Sequence, residues 1–198
     1  RLWRFKMKGA VEAEAAISSG TVYVGSARGQ FCALDLATGQ PRWTQEFETG
    51  FDAAPCVVKD RVFLMDTAGT LRCLNTLNGQ TLWTTDTASE NHSSPAWVEG
   101  KLLVGSYNQN LFCLNAESGK TVWKFETGGP VHCGPMIAGG RAHVAGCDSK
   151  LHAIEIATGK EAWSVEMASY SAANAAAFGE GVYVGHYGGA VLASDLKD

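Results

Sequence analysis

The sequence predicts an all-β fold built from repeated four-stranded units. Three observations carry this. A Gly-x-x-x-Trp motif returns at one fixed spacing, at Gly39–Trp43, Gly79–Trp83, Gly119–Trp123 and Gly159–Trp163, and Trp3 lies one such step before Trp43. Five of the six tryptophans thus share one phase. A fixed period of about 40 residues marks a repeat architecture. Within each period, short apolar stretches alternate with polar residues at period two, and none shows helical spacing. Glycine-rich turns separate the stretches, and no linker or charge run interrupts the series.

The unit from Thr121 to Gly159 shows each element. Trp123-Lys124-Phe125-Glu126 alternates as a half-buried strand does. Thr127-Gly128-Gly129-Pro130 is a turn. Val131 to Ala138 reads as a second strand of small residues, ended by Gly139-Gly140. Arg141 to Ala145 is a third, and Leu151 to Ile156 a fourth. Ala157-Thr158-Gly159-Lys160 then turns into the next tryptophan strand. The third-strand column reads Tyr23, Phe63, Leu103, His143, Tyr183, so His143 is expected in the core. The fourth-strand column of Asp35, Asn75, Asn115, Glu155 and Asp195 puts a polar side chain where it can hold the following turn.

Four short antiparallel strands per repeat is the pattern of β-propeller blades. A lone blade exposes two faces, and stacking around an axis buries each against a neighbour. Residues 1–198 are therefore expected to form one propeller domain of five repeats, with Trp3, Trp43, Trp83, Trp123 and Trp163 as its structural column. The chain opens on a tryptophan strand, at Arg1-Leu2-Trp3, as a processed or excised end would. Trp3–Lys6 can complete the last blade and close a monomeric ring. Five blades cut from a larger ring would show the same phase.

Composition narrows the function classes. The net charge of −4 and pI near 5.7 supply no basic face for nucleic acid. No apolar run approaches the roughly 18 residues of a membrane-spanning helix. The six cysteines form no C-x-x-C pair, and Cys73 and Cys113 share a column with Ala33, Ala153 and Ala193. They read as small buried hydrophobes, which leans towards a reducing compartment.

Ala33-Leu34-Asp35-Leu36-Ala37-Thr38-Gly39-Gln40-Pro41-Arg42-Trp43 and Ala153 to Trp163 resemble the tryptophan-docking motif of PQQ-like β-propeller repeats. The resemblance covers the whole chain. It implies a propeller in the broad WD40/YVTN-like class, related to bacterial BamB-like proteins and quinoprotein dehydrogenases, and so suggests an exported, periplasmic setting. In the family the tryptophan docks on the next blade, so the motif is structural and does not itself bind PQQ. Quinoprotein dehydrogenases resemble this chain in repeat only. Their vicinal cysteine pair and Ca²⁺ ligands match no motif here, so neither PQQ nor catalysis is expected.

Function on this scaffold is expected in loops. Two loop sets should meet at one mouth: those entering each inner strand, and those joining each second and third strand. Positions Glu12, Asp52, His92, His132 and Ala172 form one column of the first set. Two histidines and two carboxylates suit a polar ring for a ligand or peptide, or a divalent cation; the plain alternative is solvated residues too far apart to converge. Tyr107, Asn108, Asp148, Tyr170, His186 and Tyr187 form a second group, with flat rings and polar tips suited to recognition or to packing between blades. His152 sits in a mixed column that carries no message, and Trp97 shares a column with Ile17, Val57 and Ile137, as a core residue would. The reading is a non-catalytic scaffold binding a protein or small ligand at the mouth. The alternatives are a sensor or accessory segment of a larger propeller or multidomain protein, and a channel-mouth enzyme.

Overall fold

The structure is a computed structural model and describes residues 2–196. Those residues form strands and turns, with no helix and hence none long and apolar enough to cross a membrane. Sheet one is β1 (Ala16–Ser18), β2 (Thr21–Gly25), β3 (Gln30–Asp35) and β4 (Pro41–Glu46). Sheet two is β5 (Cys56–Val58), β6 (Arg61–Met65), β7 (Thr70–Asn75) and β8 (Thr81–Asp86). Sheet three is β9 (Ala96–Val98), β10 (Lys101–Ser106), β11 (Asn110–Asn115) and β12 (Thr121–Glu126). Sheet four is β13 (Met136–Ala138), β14 (Arg141–Ala145), β15 (Lys150–Glu155) and β16 (Glu161–Glu166). Sheet five is β17 (Ala176–Phe178), β18 (Gly181–His186) and β19 (Ala190–Asp195). Each is an antiparallel meander in chain order. The inner strands neighbour one another in the order β1, β5, β9, β13, β17, which makes the sheets blades of a propeller.

The blades bury their faces pairwise. Phe31, Phe51, Val62 and Leu64 join blades one and two. Met65, Leu71, Leu102 and Phe112 join two and three. Leu111, Val131, Val144 and Ile154 join three and four, and Ala145, Leu151, Val182 and Val184 join four and five. Cys73, Cys113, Ala33 and Ala153 are all fully buried, because that column packs where only a small side chain fits.

The tryptophans clamp these interfaces. The indole N–H of Trp3, Trp43, Trp83 and Trp123 donates to the carbonyl of Leu36, Thr76, Ala116 and Ile156 at 2.9, 2.8, 3.2 and 3.0 Å, each 33 residues on. Each ring then lies over the glycine of the next motif. At Gly119, with φ of +70°, a Cβ would stand 2.5 Å from the Trp83 ring. Trp163 keeps the column, with its ring 5.5 Å from that of His143. Its indole nitrogen has no protein partner among the described residues. The carbonyl of Leu196, which continues that series of acceptors, accepts instead from Arg141 Nη1 at 2.8 Å.

Three expectations change. The stretch from Val131 to Ala138 is a strand only over its last three residues. Pro135 has no N–H to give a ladder, and Gly134 N donates across to Asn174 Oδ1 of the next blade at 2.7 Å. Ala54 N does the same to Ser94 Oγ at 3.0 Å. Second, Trp3–Lys6 is not a strand and pairs with none of the sheets among the described residues. Its side chains Trp3, Phe5 and Met7 pack on Val22, Val24 and Leu34 of blade one, while sheet five stays three-stranded. Val191 and Phe178 of that sheet are 72% and 83% exposed, so the closure expected there is not formed. Third, Trp97 lies at the middle of an inner strand and is 38% exposed, not core.

Candidate functional site

The two loop sets meet as expected. Five backbone hydrogen bonds, again one per repeat, tie them together: Ala27 N to Ala10 O, Thr67 N to Gly50 O, Tyr107 N to Glu90 O, Cys147 N to Pro130 O and Tyr187 N to Tyr170 O, at 2.8, 3.0, 3.3, 2.9 and 3.0 Å. The segments that lead into the inner strands are irregular backbone here, where the two loop sets meet. Local sequence then decides what each blade contributes.

Blades two to four supply a contiguous cluster. His92 Nδ1 bonds Asp52 Oδ2 of the preceding blade. The Tyr107 ring stands 5.0 Å from that of His92 and 4.3 Å from that of His132, tilted to both. Burial, reinforced by the charge of His92, pushes the His132 imidazole below its ordinary value. Burial also raises the Tyr107 hydroxyl, helped by the acidic groups of Cys147, Glu90 and Asp52. Both effects keep these rings neutral near pH 7, as a contact surface of aromatic faces and hydrogen-bonding tips.

The rest of the predicted ring does not join. Glu12 is exposed and makes no hydrogen bond or ion pair among the described residues, and Ala172 has no polar group to offer. The two histidines do not chelate: His92 is committed to Asp52, and Tyr107 stands between the imidazoles. Among the described residues no group of three His, Cys, Asp or Glu is placed to hold a metal ion.

The second predicted group divides. Asn108 is structural, its amide donating to Thr87 O at 2.7 Å and its carbonyls accepting from Asn110. Tyr170 and Tyr187 stack at 4.6 Å on blade five, 46% and 67% exposed. His186 accepts from Gly188 N at 3.1 Å, and with Tyr187 it lines an open cleft of about 550 Å³ beside Ser171 and Val191. Asp148 is taken up by His152, whose Nε2 lies 2.7 Å from its Oδ2, while His152 Nδ1 meets Glu161 Oε1 at 2.6 Å. His152 and Glu161 were invisible in the sequence because their columns hold unrelated residues: Cys32, Arg72, Phe112 and Leu192 for one, Pro41, Thr81 and Thr121 for the other. The one legible hint was Arg72, a second basic side chain in the His152 column, which pairs with buried Asp66 in blade two.

The family model described as "Outer membrane protein assembly factor BamB" matches residues 1–96 and 68–198, which together span the chain. The chain belongs to this family. That is the PQQ-like propeller family to which its docking motif pointed. Among solved structures it is similar to BamB from Moraxella catarrhalis, with a TM-score of 0.85 and 19% identity over 98% of this chain. The match takes in 63% of that BamB chain, so the present chain spans less than two thirds of it. It is also similar to two computationally designed proteins. Ika8 gives a TM-score of 0.65 at 14% identity over 94% of this chain and 71% of Ika8. Ika4 gives 0.66 at 16% identity over 82% of this chain and 94% of Ika4. At these identities the likeness is one of fold. A search among curated proteins returned no match.

Proposed function

We propose that this BamB-family chain is a non-catalytic scaffold that docks a protein partner at the mouth of its channel. The observation that carries the reading is the Asp52–His92–Tyr107–His132 cluster. The rings of Tyr107 and the two histidines, braced by neighbours, offer recognition area at little entropic cost. With Asp52 the cluster draws on three separate blades, so a rigid frame sets its spacing. The tryptophan motifs that give the family its PQQ-like label are taken up in blade docking, and the reading calls for no PQQ. Membership of a family described as an assembly factor favours a protein over a small ligand.

A photo-crosslinking residue at position 107, in living cells of the source organism, tests this. The control carries the same residue at position 77, because Leu77 is 83% exposed at the far end of blade two. One discrete protein adduct at 107 and none at 77 is the expected result. Equal labelling at both positions, or none at 107, rejects the mouth as the docking surface.

A second reading draws on the three-stranded fifth sheet and the 63% span. On that reading the chain works as an accessory segment of a larger propeller. Self-association of the isolated chain, relieved by Val191→Lys on the exposed face, is its expected signature in sedimentation. A stable monomer insensitive to that change rejects it.

A further inference from the structure

We infer that His152 is a protonation-controlled clasp that sets the position of the blade-four mouth loop. The inference deepens the mouth reading and supplies its regulation; the clasp itself stands on separate contacts.

The His152 side chain is 6% exposed, and each ring nitrogen faces a different carboxylate. Nε2 lies 2.7 Å from Asp148 Oδ2 and Nδ1 lies 2.6 Å from Glu161 Oε1. A neutral imidazole has one N–H and one lone pair. It can donate to one of these carboxylates, and the other then faces a lone pair. Only the imidazolium donates to both. The closed clasp is therefore the protonated state, and loss of the proton forces one carboxylate away.

Ser164 also donates to Glu161, but among the described residues no donor other than His152 reaches Asp148 Oδ2. Lys150 on β15 is engaged with Glu166 of β16 at 3.3 Å. Ser164 is opposite His152 in the β15–β16 pairing. From β12, the Phe125 ring meets the imidazole edge-on at 5.5 Å, and Glu126 lines the same cleft of about 400 Å³ with a further negative charge. Burial alone would raise the Glu161 carboxyl, yet the hydrogen bond from His152, with help from Ser164 and Lys150, holds it below the ordinary value.

The clasp connects to the mouth through short covalent and hydrogen-bonded steps. Asp148 follows Cys147, whose N–H donates to Pro130 O at 2.9 Å. Pro130 lies just before Val131 and His132, and His132 packs on Tyr107. Glu161 anchors the other end on the outer strand of the blade. Blade two shows the fixed version of the device: Arg72, in the His152 column, pairs with Asp66 of its own loop and cannot lose its proton near neutrality. Blade four has a titratable cation at that place.

The test is proton NMR and amide exchange on the intact chain as a function of pH. The His152 ring signals and the Cys147, Asp148 and Ser149 amides are expected to titrate with one midpoint. Above it, the Cys147 amide is expected to lose at least about tenfold of its protection, after correction for intrinsic exchange. His152→Arg, which copies blade two, is expected to remove that pH dependence and keep the amide protected. Glu161→Gln, a milder change at a partly exposed position, is expected to shift the midpoint of the loop amides together with that of the ring. Loop amides that ignore the His152 titration, or a His152→Arg chain that keeps the wild-type dependence, overturn the inference. None of these readouts requires a partner, so the clasp can fail while the docking surface stands, and the reverse.

Discussion

Tyr107 and His132 hold their ring centroids 4.3 Å apart across the junction of blades three and four. Tyr107 reaches there from a β10–β11 turn, and His132 from the segment entering β13. Their contact ties the two loop sets of the mouth together, and His92 completes the group from the other side at 5.0 Å.

The His132 imidazole is lowered first by burial and second by the charge of His92. Replacing His92 with Gln removes the second cause only. The His132 midpoint is expected to rise towards the ordinary 6.5 without reaching it, as followed by histidine ring signals in NMR. A midpoint that stays put would show that the two imidazoles do not communicate.

Trp83 measures the clamp. Trp83→Ala removes a half-buried ring that packs on Phe63 and Gly119, and it is expected to cost about 3 kcal/mol, the low end for a large aromatic truncation. Trp83→Phe keeps most of the packing and loses the bond to Ala116 O, at about 1 kcal/mol. Urea titrations separate the two. A Trp83→Ala loss below about 1 kcal/mol would place the docking energy elsewhere.

Gly119→Ala tests the same joint from the other side. Its positive φ and the 2.5 Å approach to Trp83 act together, for an expected loss of about 2–4 kcal/mol. Gly100 is the control for strain without collision, because it has φ of +79° and no atom near a built Cβ. Gly100→Ala should cost only about 1–2 kcal/mol.

His143 is fully buried, and neither ring nitrogen has a protein partner among the described residues. Burial lowers its imidazole below the ordinary 6.5. The folded state therefore holds it neutral, while the unfolded chain takes up a proton as pH falls through 6.5. Stability attributable to this residue is full above that value and declines below it. His143→Phe, matching Phe63 in the same column, is expected to stabilise the chain by about 1–3 kcal/mol and to flatten the acid side of the stability profile. Thermal melts at several pH values check both.

Among the described residues β19 pairs with β18 alone, whereas β15 lies between β14 and β16. Backbone bonds on one side only protect weakly. The amides of Ala190, Val191, Leu192 and Ala193 in β19 are expected to exchange at least about a hundredfold faster than those of β15. Equal protection would mean that another strand covers the edge.

Much of this molecule is legible in its sequence. The phase of the tryptophan repeat set the blade count, and the columns of Tyr23, Leu34 and Trp43 set which faces are buried. Repetition makes this possible, because each blade meets the same neighbour in the same register, so position within the period determines environment. Asp35, Asn75 and Asn115 hold their turns as a column of short polar side chains should. His143 likewise took its burial from its column. Two things were decided by the tertiary structure alone. One is which members of a column meet: Asp52 bonds His92, and His92 meets His132 through Tyr107, while Glu12 joins neither, because convergence depends on side-chain reach across blades. The other is contact between different columns, as in Asp148–His152–Glu161. The period relates like positions to like, and the chemistry of this chain sits where unlike positions touch.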